Sequence, residues 1–380
     1  MTSKDRIFKS YWWRTNDVKS VILLLTTMVL GLLLLASAGG AVAGKMGLIH
    51  YFFLQRQITF LLIGFTIMIL MTQFSENLIK LLIQLGFFTT IILLILTPFF
   101  GPATKGAKRW IEVSGLSLQP SEFLKPFYTG ILALILSRLN GVINLKSFLL
   151  CMSIHAFIVT SLLIQPDFGM VITNTFVMFS MFFIAGLKIS FILLLTCFFA
   201  IFVYLCYLSF PHVAKRIDGF YSPVDARNYQ VSKSISSYLD GGLFGKGPGE
   251  GTIKYVLPDV HTDFIFAVAA EEFGTVFCLI LMCCFGCFIL RGFFNLSKQR
   301  NLFNIFVGFG ILMHFSLQFI FNIGTTLNLL PTKGMTLPFI SYGGSSILAF
   351  SIAAGIFLNT SKTIVTNKNA KGLFLFVTAY

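Results

Sequence analysis

Charge is scarce in this chain. Asp, Glu, Lys and Arg make up 11% of its 380 residues, against about 25% in soluble domains. With 56% hydrophobic residues, that shortage excludes a soluble globular protein. Acidic groups are scarcer still: 14 Asp and Glu against 28 Lys and Arg leave a formal charge of +14. Period-two alternation is missing from the apolar runs, which argues against a β-barrel. Metal and disulfide frameworks are missing too. The seven cysteines (Cys151, Cys197, Cys206, Cys278, Cys283, Cys284, Cys287) all fall inside apolar runs, as small core or lipid-facing residues do.

Forty-five Phe residues and repeated apolar runs are present. Runs of about 18 residues or more point to an all-α, polytopic helical membrane protein. About ten spans are expected, near Val21–Ala38, Phe52–Met71, Leu78–Pro98, Ser121–Ser137 and Ser147–Ile164. The others are Phe168–Leu187, Ile189–Phe210, Phe264–Leu290, Leu302–Leu327 and Tyr342–Leu358. Ala36-Ser37-Ala38 has the small residues of a signal-peptidase site, but the apolar run before it is long and more spans follow. The whole chain, 1–380, reads as one membrane domain, with a large loop at 211–263 and a cytoplasmic tail at 359–380.

An even count puts both termini on one side. With the termini inside, inner segments carry 15 Lys and Arg against 13 outside, six of the latter in the large loop. Leaving that loop out gives 15 against 7, which supports the assignment. The cations lie in loops between spans, so anionic lipid is the expected partner and nucleic acid is not.

Polar chemistry is densest from Lys254 to Gly274, KYVLPDVHTDFIFAVAAEEFG. Asp263, Glu271 and Glu272 there enter an apolar run. A charge at that depth costs roughly 2.5–3.5 kcal/mol, so such residues are functional candidates. Asp263 on the first turn of a span is either a helix N-terminal charge, stabilised by up to about 1 kcal/mol, or a general base. Glu271 and Glu272 lie two turns deeper, roughly 12 Å by helix rise, too far to pair with it. His261 offers an interfacial hydrogen-bonding group. Upstream, GGLFGKGPGEG (241–251) reads as a flexible turn able to approach phosphate; Gly247 after Lys246 departs from a Walker A loop.

Two further outer segments are polar. Gly101–Pro126 holds Lys105, Lys108, Arg109 and Trp110, read as a short interfacial helix. Glu122 and Lys125 follow at a spacing of three, on one helix face. Asp167, after Gln165-Pro166, is placed to cap the next helix. Near the C-terminus, Lys333 sits among Pro331, Gly334 and Pro338. Broken helix of this kind needs a protein-lined or water-lined setting.

The blocks KGAKRWI, QPSEFLKP, QPDFG, NYQ, GGLFGKGPGEG, LPDVHTDFIFAVAAEEFG and PTKGMTLPFISYGGSS together resemble the SEDS family, typified by FtsW and RodA. They span Lys105 to Ser346, with PTKG and KYVLPD nearer the cell-division branch. The resemblance implies a peptidoglycan glycosyltransferase of the bacterial inner membrane, at the division septum; one base and a single displacement would make it inverting, by analogy with glycosidases. It would polymerise lipid II, release undecaprenyl pyrophosphate, and work beside a class B penicillin-binding protein and other division proteins. The HTDF match carries the family's key acid onto Asp263. Arg109, Glu122, Lys125, Lys246, Lys333 and His261 are then the substrate-binding candidates. The leaving diphosphate would be neutralised by cations directly or through a divalent ion, which the sequence does not specify. A lipid II flippase and a non-catalytic division scaffold are the competing expectations.

Overall fold

The computed structural model describes residues 12–13, 15–103, 107–113, 115–139, 143–221, 226–331 and 334–362. In chain order it builds α1 (Val18–Lys45), α2 (Phe52–Met71), α3 (Glu76–Phe100), the strands β1 (Ile111–Val113) and β2 (Leu116–Leu118), and α4 (Pro120–Leu136). Then come α5 (Leu145–Ile164), α6 (Phe168–Ile184), α7 (Ile189–Ser209), α8 (Pro211–Tyr221) and α9 (Ala226–Gly241). The chain closes with α10 (Ile253–Val256), α11 (Ile265–Leu296), α12 (Leu302–Thr326) and α13 (Gly344–Thr360).

All ten expected spans are helical. Among the described residues seven helices are long and apolar enough to cross a membrane, and α6 and α13 are shorter apolar helices of 17 residues. This is a multi-pass membrane protein. Its helix ends follow local chemistry: Asp17, Ser75, Asn144, Asp167 and Asn301 each accept from a backbone N–H of the first turn. Asp167 caps α6 as its position in the sequence predicts.

One expectation fails. Residues 111–113 and 116–118 pair as antiparallel strands in place of an interfacial helix, with Ile111 opposite Leu118 and Glu112 opposite Ser117. β-branched Ile111 and Val113 favour strand, and Gly115, at φ 79°, supplies the turn. The β2 end is pinned to the bundle, because Ser345 Oγ accepts from Gln119 N at 3.0 Å and donates to the Ser117 carbonyl.

Helices α11, α12 and α13 pack through a phenylalanine cluster. Phe315 on α12 meets Phe288 (5.3 Å), Phe350 (4.7 Å) and Phe339 (6.0 Å), measured between ring centroids. Phe339 sits in a turn, Leu337–Tyr342, that dips into the bundle before α13. A Cβ on Gly31 of α1 would lie 2.7 Å from Ile340 Cα, so the turn reaches the middle of α1 only because Gly31 has no side chain. Outward residues such as Leu194, Phe198 and Ile201 of α7 are apolar and exposed, as a lipid-facing surface requires.

Candidate active site

The large loop is fastened at a break in α11. Gly274 has φ 81° and ψ 176° inside that helix, which interrupts its hydrogen-bond ladder. The glycine loop fills the gap. Lys246 N donates to the Glu271 carbonyl (2.9 Å) and Gly247 N to the Glu272 carbonyl (3.0 Å). In return Thr275 N donates to Gly242 O (3.0 Å) and Val276 N to Leu243 O (3.2 Å). Every backbone group freed at these four positions regains a partner, as burial demands. The 241–251 segment is therefore an ordered clamp, a correction to its reading as a flexible turn.

The same loop neutralises both glutamates, each only 1% exposed. Glu271 accepts from Lys246 Nζ (2.9 Å), Thr252 N (3.0 Å) and Ile253 N (2.8 Å). Glu272 accepts from Lys254 Nζ (2.8 Å), Ser37 Oγ (2.6 Å) and Gly249 N (3.0 Å). Lys246 also reaches Asp240 at 3.3 Å. The hydrogen bond it donates to Glu271 holds its ammonium above the ordinary lysine pKa. The structure thus places Lys246 with these carboxylates, whose burial without cations would be prohibitive.

Asp263 lies beyond the clamp, half-buried, in the turn that leads from α10 into α11. Asp259, in the left-handed region at φ 54°, makes this turn, and its carbonyl accepts from Thr262 N (3.1 Å) and Asp263 N (3.0 Å). Three residues from two outside elements, the Leu337–Tyr342 turn and α12, fix it. Tyr342 N donates to the His261 carbonyl (2.9 Å), and Ser341 Oγ donates to the Thr262 carbonyl (2.5 Å). Asn322 Nδ2 of α12 donates to the Asp263 carbonyl (3.1 Å). The Asp263 carboxylate faces Gly334, where an added Cβ would stand 3.1 Å from Oδ2. The His261 ring packs between Phe53 (4.7 Å) and Tyr342 (5.6 Å).

The other expected residues divide. Glu122 and Lys125 pair at 2.8 Å inside the bundle, and Lys125 also donates to Gln318 Oε1 at 2.6 Å. The void beside them is about 10 Å³, room for one water at most. The structure places both side chains in the interior of the bundle, 8% and 3% exposed. Arg109 gives its guanidinium to the carbonyls of Gln165 (3.2 Å) and Pro166. Lys333 lies outside the described residues. Among the described residues no three His, Cys, Asp or Glu gather as metal ligands would.

Sequence reasoning passed over Arg56, whose guanidinium hydrogen-bonds Tyr342 and the Gly115 carbonyl (3.2 Å). It also passed over Gln318 and Asn322, both 1% exposed on α12. Two amides one turn apart in an apolar helix were the available signal.

Architecture and site together define a multi-pass helical membrane protein with one carboxylate presented where a large loop rejoins the bundle. The chain belongs to the FtsW/RodA/SpoVE family of cell cycle proteins, which matches residues 18–365. It is 35% identical over 358 residues to the probable peptidoglycan glycosyltransferase FtsW of Caulobacter vibrioides, covering 93% of this chain and 91% of that one. Stage V sporulation protein E of Bacillus subtilis is 33% identical over 361 residues, at 91% and 97% coverage. Among solved structures, a peptidoglycan synthase complex that coordinates polymerization and crosslinking superposes with a TM-score of 0.77 at 25% identity, covering 91% of this chain and 97% of that one. The rod shape determining protein RodA of Thermus thermophilus gives 0.67 at 25% identity, with 92% and 97% covered.

Proposed function

We propose that this protein is a peptidoglycan glycosyltransferase that polymerises lipid II during bacterial cell division. The observation that carries the reading is the Asp263 carboxylate, held by a turn that α12 and the Leu337–Tyr342 turn fix in place. Glycan extension needs a base on the acceptor and a sink for the charge of the leaving group. Asp263 takes the proton of the acceptor sugar's 4-hydroxyl. That oxygen bonds to the donor's anomeric carbon, and the bond to the diphosphate breaks with its electron pair leaving on undecaprenyl pyrophosphate. A single displacement inverts the centre, from α-linked donor to β-linked product, by analogy with glycosidases. Arg109, Arg56 and Lys333 supply positive charge to the diphosphate.

The loop end then faces outward from the inner membrane, at the septum. A class B penicillin-binding protein is the crosslinking partner, as the similarity to a complex coupling polymerization and crosslinking supports. A flippase would need its intramembrane charges open to a moving headgroup, whereas Glu122, Lys125, Glu271 and Glu272 are all engaged. The test is glycan synthesis by purified protein from lipid II on the loop side of a vesicle. Arms with the cognate transpeptidase, and with a chelator to probe a divalent ion, complete it. Failure to make glycan in every arm overturns the reading.

A further inference from the structure

Gly334, Met335 and Thr336 form a short strap that crosses the face of α12 and touches Asp263. Its geometry rests on two side chains of that helix. Asn322 Nδ2 donates to the Met335 carbonyl at 2.7 Å and to the Asp263 carbonyl at 3.1 Å. One turn earlier, Gln318 Nε2 donates to the Thr336 carbonyl at 2.9 Å and to its Oγ1 at 3.2 Å. The acceptors fix both amide orientations: Asn322 must present nitrogen to two carbonyls, and Gln318 must present oxygen to the Lys125 ammonium.

We infer that Asn322, supported by Gln318, is a positioning residue for the base, and this rests on the reading of Asp263 just given. One amide joins the backbone of the base to the backbone of the strap that the base's carboxylate abuts. The chain of contacts runs on through Gln318 to Lys125 and Glu122, which gives the buried ion pair a task without substrate contact: it holds the Gln318 oxygen, and so turns the amide nitrogen toward Thr336. Thr336 Oγ1 and Ser346 Oγ, 2.7 Å apart, tie the strap's far end to α13. A reacting carboxylate needs such fixing, because a shift of about 1 Å costs on the order of 10²-fold in rate.

The experiment uses the full-length protein in detergent or vesicles with purified lipid II. Asn322→Leu keeps size and removes the donor; Gln318→Met does the same one turn away. Rates are normalised to lipid II binding and followed against pH. Asn322→Leu is expected to lower kcat by about 30- to 100-fold with KM within about twofold. The acid limb of its pH profile should also move, by about half a unit or more, because the surroundings of the base have changed. Gln318→Met should give a smaller loss in the same direction. A merely structural role scales the whole profile without moving it; that outcome, or a rate within about twofold of wild type, overturns the inference. If Asn322→Leu does not fold, Gln318→Met and Thr336→Val decide by the same readout. Absence of glycan from the wild type counts against Asp263 as base and removes this inference with it.

Discussion

Lys254 Nζ and Glu272 Oε1 stand 2.8 Å apart, with side chains 4% and 0% exposed. This pair joins the loop to α11 and, through Ser37, to α1. Removing one partner leaves a buried charge, which costs about 3–5 kcal/mol. Lys254→Met should therefore lower the unfolding temperature sharply and speed hydrogen exchange across 242–252. Lys254→Met combined with Glu272→Met should recover most of that loss, because neither charge is then stranded. Thermal unfolding of the two variants side by side checks this.

Asp263→Asn keeps the shape of the side chain and removes its basicity. Glycan synthesis should fall by at least about 10²- to 10⁴-fold while the unfolding temperature stays within a few degrees of wild type. Near-normal synthesis by purified Asp263→Asn would take this residue out of the reaction.

Gly334→Ala tests the contact with the base from the other side. Gly334 has φ 65°, so alanine is strained by roughly 1 kcal/mol, and its methyl would press on Oδ2 of Asp263. Activity should drop about tenfold or more with little loss of stability, read by comparing kcat with thermal unfolding.

At the opposite end, burial raises the carboxyl pKa of Asp17, but hydrogen bonds from Arg291 and Ser20 more than reverse this and leave it below the ordinary value of 3.8. The folded pKa is depressed, so the stabilisation is present above the unfolded pKa and lost as pH falls through the folded one. Acid unfolding should steepen below about pH 4, and Asp17→Asn should remove that part of the pH dependence. Titrating stability of both proteins from neutral to acid pH checks it.

The spans were legible because apolar run length is a one-dimensional signal. Asp263, Glu271 and Glu272 were legible because charge in an apolar run is rare. What could not be read was which cation answers which anion. Lys246 and Lys254 lie 25 and 18 residues from their glutamates, and composition alone leaves Lys246 as free for a phosphate as for a carboxylate. The strand pair at 111–113 and 116–118 was obscured by Trp110, whose preference for interfaces holds for strand and helix alike. Asn322 was hidden because its partners are backbone carbonyls, which look the same in every sequence.

The clamp at Gly274 couples the loop to the membrane core mechanically. Four backbone bonds cross between Gly242–Gly247 and the two halves of α11, and a Cβ on Gly274 would lie 2.4 Å from both Gly245 N and Leu243 O. Neither part can swivel alone. A load placed on α11 is therefore shared with the loop through these bonds.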